Sequence, residues 1–171
     1  MEEYPLVDRA VAKDVAAFGA LARLHQSNVR GLLLRLTKGN HAAADDLAQE
    51  TFLEAWRGIG NFRGDSAFAT WLYRIAYSRF LMAARRRKPD EQLGEWQGEA
   101  PSGAAATHAR IDLERAFAQL SPPESAALTL CFALGLSNTQ AADALGLPLG
   151  TLKSHILRGR EKLKAILGDQ P

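Results

Sequence analysis

Residues 88–109, KPDEQLGEWQGEAPSGAAATHA, constrain this chain more than any other segment. Proline, glycine and serine recur there, and neither a helical nor a strand period runs through it. About 22 residues without secondary structure are too many for an ordered loop inside one compact domain. A chain of 171 residues is therefore expected to divide into two small units, 10–88 and 110–168, joined by a flexible linker at 89–109. Fully extended, the linker reaches roughly 70 Å.

Both flanking blocks read as helical, so the fold class is all-α. Phe18, Leu21, His25, Val29, Leu32 and Leu36 step by three or four and line one helix face, which Gly39 and Asn40 are expected to terminate. A second helix carries Ala44, Leu47, Ala48, Thr51, Phe52, Ala55 and Ile59 on one side, with Asp45, Gln49, Glu54 and Arg57 on the other. Two glycines and Asn61 mark 58–64 as a loop, and a third helix, apolar over much of its circumference, runs from about Ser66 to Arg87.

The second block is punctuated by caps. Ser121-Pro122-Pro123-Glu124 is a capping box with proline at the first helical position, and the apolar run behind it reaches Leu134 before Gly135 closes it. Ser137-Asn138-Thr139-Gln140 opens a short helix that Gly146 ends. A last helix follows Pro148, with Leu152, Ile156, Leu163 and Ile166 or Leu167 facing inward. Short helix, glycine turn and longer helix make a helix-turn-helix signature.

The formal net charge is only +2. That small excess is concentrated in the last helix, where Lys153, His155, Arg158, Arg160, Lys162 and Lys164 face the single acid Glu161. Behind a helix-turn-helix, such a helix suits the major groove, its first residues at base edges and its flanking cations at phosphates. A solvated basic face is the blander alternative. The third helix combines Trp71, Tyr73, Arg74 and Tyr77 with the run Arg85-Arg86-Arg87-Lys88, a composition that suits single-stranded DNA. Leu72 and Ile75 read as core, and Trp71 fits either role.

No enzyme chemistry emerges. Asp45, Asp46 and Glu50 lack the His, Cys or further acid that would complete a metal site, and His25, His41, His108 and His155 are scattered. Cys131, the only cysteine, lies in an apolar run without a neighbouring base and reads as a buried small residue in a reducing compartment. No Gly-rich phosphate loop is present, so no cofactor is expected. With neither a signal-peptide pattern nor an apolar stretch of spanning length, a cytoplasmic protein without direct membrane insertion is expected.

Three motifs in order resemble the extracytoplasmic-function (ECF) sigma factors of the sigma-70 family. They are Ala44-Asp-Asp-Leu-Ala-Gln-Glu-Thr-Phe52, then Phe62-Arg-Gly-Asp-Ser-Ala-Phe68 with Thr70-Trp-Leu-Tyr-Arg-Ile-Ala76, and finally Leu147-Pro-Leu-Gly-Thr-Leu-Lys-Ser154 with Arg158-Gly-Arg-Glu-Lys-Leu163. The resemblance implies that 10–88 is sigma region 2, binding core polymerase and the −10 element, and that 110–168 is region 4, reading the −35 element. It further implies that Asp45, Asp46, Gln49 and Glu50 meet the clamp helices of the largest polymerase subunit. Asn61, Phe62, Arg63, Trp71, Arg74, Tyr77, Ser78, Arg85 and Arg86 would hold melted −10 DNA. Thr139, Thr151, Lys153, Ser154, His155, Arg158 and Arg160 would face −35 duplex. Core polymerase, including its flap, promoter DNA and an inhibitory anti-sigma factor are the implied partners. Tyr77-Ser78, Met82, Asn138-Thr139-Gln140 and His155 depart from the common family residues. Asp90, Glu91, Glu95 and Glu99 would lie along the polymerase's basic RNA path. A helix-turn-helix regulator that binds duplex DNA without polymerase accounts for 110–171 and leaves the first block unexplained.

Overall fold

The computed structural model describes residues 3–86 and 108–168, and over them the chain forms eight α-helices and no strand. The linker, with its acidic residues and with Arg87 and Lys88, lies outside the described residues.

The first helix, α1 (Glu3–Val11), has no counterpart in the periodicity reading, because nine residues give too few turns for a pattern to declare itself. It buries Val7 and Ala10 against α2 (Val15–Leu36). Asp14 caps α2 by accepting from the amides of Ala16 and Ala17, and the Arg9 guanidinium at 2.6 Å, ahead of those amides, holds its carboxyl below the usual range. The stripe expected on α2 is inside: Leu21, His25, Val29, Leu32 and Leu36 are buried. The turn after α2 departs from expectation in one respect. Lys38 and Gly39 take the positive φ angles that reverse the chain, whereas Asn40 is extended and caps α3 (His41–Gly58) through the Ala43 amide. A side chain able to serve either helix end goes where an unpaired amide needs it.

Ala44, Leu47, Thr51 and Ala55 bury one face of α3, and a 3₁₀ turn at Ile59–Asn61 follows. The next helix, α4 (Phe68–Arg86), begins two residues later than expected and buries seven of its side chains, in keeping with its broad apolar surface. Helices α1 to α4 pack into one bundle.

In the second block α5 (His108–Phe117), α6 (Pro122–Leu128), α7 (Asn138–Leu145) and α8 (Leu149–Leu167) follow in order. Both predicted capping boxes form, each with its two reciprocal hydrogen bonds. Gly146 closes α7 in the left-handed conformation at φ +65°. The apolar run behind α6 is not uniformly α-helical, since a π-helical turn occupies Thr129–Ala133. The widened turn sets Leu130 inside and leaves Phe132 66% exposed. Cys131 is half-buried rather than enclosed. Burial pushes its thiol up, and its Sγ lies 3.6 Å from Asn138 Oδ1.

Helix α8 crosses α6 at Gly159, where a Cβ would stand 2.8 Å from Leu128 Cδ1 and 3.5 Å from Glu124 Cβ. Gly159→Ala is expected to be nearly neutral, the gain in helix propensity offsetting a shift of the Leu128 tip. Gly159→Leu has no such room and is expected to cost about 1–3 kcal/mol by overpacking, read as a fall in the urea midpoint.

The two blocks also pack on each other, α4 against α7 and α2 against α6. Ala126, Ala127, Leu130, Ala141, Ala142 and Leu145 join the same buried core as Leu33 and Leu72. The alanines allow these helix backbones to come close. Arg35 lies over the Phe117 ring at 4.3 Å and donates to Thr129 Oγ1 at 3.4 Å.

Candidate functional site and nucleic-acid interface

Helix α3 turns its buried face to the bundle and presents Asp45, Asp46, Gln49 and Glu50 outward, all exposed. Asp45 is tied down by Arg30, whose Nε donates at 2.6 Å while its other arm meets His41 Nδ1 at 3.0 Å. Leu53 stands on the same face one turn on, 56% exposed. An exposed leucine flanked by carboxylates is the composition of a protein-binding surface, an apolar centre with a charged rim. Sequence periodicity pointed at the acids and missed Leu53, although its spacing of three from Glu50 and four from Gln49 places it among them.

The loop before α4 is organised around Phe68. Its ring meets His25 at 5.4 Å, Phe62 at 6.0 Å edge-on and Trp71 at 5.7 Å, and Phe62 lies 5.2 Å from Trp71. Trp71 and Phe62 are thus half-buried members of an aromatic cluster with one side open, which settles Trp71 as both packing and surface. His25 Nε2 lies 3.0 Å from Glu3 Oε1, joining α1 to the underside of the cluster. Asn61 and Arg63 are exposed at its rim. Along α4, Arg74, Ser78, Arg85 and Arg86 are exposed, whereas Tyr77 is only 7% exposed and burial raises its hydroxyl pKa. Tyr73 is buried too. Phe62 and Trp71 thus keep part of their rings exposed, whereas both tyrosines are enclosed, against the expectation that Tyr77 lies at the surface.

On α8, Thr151, Lys153, Ser154, Arg158 and Arg160 are exposed, while Leu152 and Gly159 face inward. Ser154 Oγ donates to the Gly150 carbonyl at 3.1 Å, so its hydroxyl proton is occupied within the helix. His155 is half-buried. Burial, and then the Arg158 charge, lower its pKa, and its Nδ1 stands 3.2 Å from Arg158 Nη2. A neutral imidazole in that position accepts from the guanidinium and orients it outward. The helix is held to α6 by Lys162, which donates to both oxygens of Glu124 at 3.0 and 2.8 Å. Burial opposes ionisation of Glu124, but Lys162 and the Ser121 amide hold its carboxyl below the ordinary range. The same carboxylate thus caps α6 and fixes the register of the basic helix. Thr139 stands apart from this group. It lies on α7, beside a cavity shared with the 62–68 loop.

Among the described residues no three potential metal ligands cluster, and no helix is long and apolar enough to cross a membrane. The described residues thus carry two separate exposed surfaces, the half-buried rings with the cations of α4 and the cations of α8, besides the acidic face of α3.

Comparison with known proteins gives both surfaces a family. Sigma-70 region 2 matches residues 21–89 and Sigma-70 region 4 matches 110–163. The RNA polymerase sigma-H factor of Pseudomonas aeruginosa is 36% identical, over 97% of this chain and 94% of its own length. The ECF RNA polymerase sigma-E factor of Haemophilus influenzae is 35% identical, over 96% and 94%. Among solved structures, the sigma factor RpoE in complex with the anti-sigma factor NepR from Bartonella quintana superposes with a TM-score of 0.78 at 27% identity, covering 91% of this chain and all of the other. CnrH in complex with the cytosolic domain of CnrY gives 0.71 at 26%, covering 95% and 94%. With two family regions matched in order and relatives aligned over nearly their whole length, this chain belongs to the ECF group of the sigma-70 family of RNA polymerase sigma factors.

Proposed function

We propose that this alternative sigma factor divides its work among three surfaces: the α3 face docks core polymerase, the Phe62–Trp71 cluster and α4 capture melted −10 DNA, and α8 anchors −35 duplex. The observation that carries this reading is the separation of chemistries. Stacking rings with neighbouring cations suit unpaired bases, and a helix-turn-helix with exposed Lys153, Arg158 and Arg160 suits a groove and its phosphates. A regulator that binds duplex DNA alone has no use for the first surface or for the acidic face with Leu53. In this reading the protein acts by positioning DNA on another enzyme's active centre. It works in the cytoplasm, where that polymerase is.

Regulation follows from the same surfaces. Two solved relatives are held in complexes, one with the anti-sigma factor NepR and one with the cytosolic domain of CnrY. A partner of that kind, covering the α3 and α4 faces, would keep this protein from polymerase. The extents 10–88 and 110–168 serve as working boundaries of the two functional units, with α1 packed on the first.

Run-off transcription with purified bacterial core polymerase and a genomic promoter library tests the assignment. New, defined start sites sharing two spaced elements are expected only when the protein is present. Absence of initiation with folded protein and active core would return it to the class of duplex-binding regulators.

A further inference from the structure

We propose that α1 and the turn after it brace the −10 loop, with Lys13 and Glu3 as positioning residues that hold its two ends. The inference rests on the assignment of Phe62, Trp71 and α4 to −10 DNA. It goes beyond that assignment by giving a role to a segment that the region 2 match, beginning at residue 21, leaves out. Lys13 closes the α1–α2 turn at φ +67°, in the left-handed region that side chains disfavour and glycine adopts freely. A glycine would serve the backbone better there, and what the lysine adds is its side chain. Its Nζ donates to the Trp56 carbonyl at 2.7 Å and lies 4.8 Å from the centre of the Trp56 ring. Trp56 stands in the last turn of α3, so the ammonium meets the negative end of that helix as well as an indole face. Phe18 of α2 packs on the same indole at 5.2 Å. The lysine stem also crosses the 3₁₀ turn that ends at Asn61, where a Cβ on Gly60 would stand 3.5 Å from Lys13 Cε.

The far end of the loop is held from the same helix. Phe68 closes the loop at the start of α4, and the His25 ring lies 5.4 Å from it. His25 Nε2 donates to Glu3 Oε1 at 3.0 Å, while its Nδ1 is buried with no hydrogen-bond partner among the described residues. Glu3 is thus the polar anchor of a ring that supports Phe68. Val7 and Ala10 seat α1 on the bundle between these two contacts, and α1 packs directly on the 3₁₀ turn. Asn61, Phe62 and Arg63, all assigned to −10 DNA, lie between the two anchors, and residues 62–67 form no helix of their own. A segment without secondary structure holds its side chains in place only while its ends are fixed. Holding them before a base arrives removes an ordering cost from capture.

The test uses the full chain bound to core polymerase, with Lys13→Gly, Lys13→Arg and Glu3→Ala. Lys13 is exposed, and in Lys13→Gly relief of the left-handed strain offsets the lost contact, so the urea midpoint is expected to stay close to that of wild type. Affinity of Lys13→Gly for a fluorescent single-stranded oligonucleotide, taken from the non-template −10 strand of a promoter found by run-off, is expected to fall about fivefold, the scale of one exposed cation contact. Its affinities for core polymerase and for duplex carrying the −35 element are expected to match those of wild type. Lys13→Arg, whose guanidinium can donate to the same carbonyl over the same ring, is expected to keep wild-type −10 affinity. Glu3→Ala is expected to reproduce the selective loss from the other end. A loss confined to −10 binding at unchanged stability is a pattern that simple support of the fold does not give. Wild-type −10 affinity in Lys13→Gly overturns the brace. A loss shared equally by single-stranded −10, duplex −35 and core binding overturns it too, since α1 would then be a general support. The sigma assignment is decided separately, by run-off transcription with the wild-type protein.

Discussion

Reversing charge at Asp46 and Glu50 together is expected to weaken binding to core polymerase about 100-fold or more while leaving the fold untouched. Both carboxylates are exposed on α3, four residues apart on the face opposite Ala44, Leu47, Thr51 and Ala55. Neither supports the core, so their loss should cost almost nothing in stability. Carboxylates on the docking face call for a basic partner surface, and placing like charges across an interface costs several kcal/mol, where each 1.4 kcal/mol is tenfold in affinity. Asp45 is the instructive comparison. Its ion pair with Arg30 means that reversing it would also disturb α2, so it reports less cleanly on docking. Leu53→Glu should weaken binding as well, because it places a charge at the apolar centre of the same face. Fluorescence titration of labelled protein with core polymerase checks the affinities, and urea unfolding checks the fold. Wild-type affinity in the doubly reversed protein would remove α3 from the polymerase-binding surface.

Phe68→Ala is expected to destabilise the amino-terminal bundle by about 3–5 kcal/mol and to cost −10 function beyond that loss. Phe68 is buried at the first turn of α4, where it contacts rings from α2, the loop and its own helix. Removing it deletes the shared partner of His25, Phe62 and Trp71 and leaves a cavity that three elements would have to collapse to fill. Phe62 would lose one of the two rings holding it, so the loop carrying Asn61 and Arg63 should no longer be positioned. Phe68→Leu keeps most of the volume and is expected to lose less than half as much stability. Urea unfolding followed by tryptophan fluorescence measures the loss, with Trp71 as an internal reporter of the cluster. Unfolding of Phe68→Ala within 1 kcal/mol of wild type would mean that the cluster does not organise the loop.

Much of this protein was legible in its residues because the decisive signals are local. A helix cap is a bond between a side chain and an amide three residues away, so Ser121 with Glu124 and Ser137 with Gln140 declare their helices without knowledge of the rest. Period and burial are linked in the same way, and the α2 stripe from Leu21 to Leu36 lies inside as its spacing requires. The basic character of α8 and the acidic face of α3 are likewise one-dimensional facts.

Other features had no local signal. Asn40 could end one helix or begin the next, and the amide of Ala43 decided between them. The π-helical turn at Thr129–Ala133 follows from how α6 must fit against its neighbours, which no residue in that run announces. Tyr77 reads as a stacking ring until the fold buries it. Arg74 and Asp143 are 69 residues apart, and only the docking of α4 on α7 makes them partners. Residue order determined which helices form and what chemistry each carries, because those are set by neighbours within a few turns. Tertiary structure alone decided which of those surfaces face outward and which face each other, because that depends on packing between segments far apart along the chain.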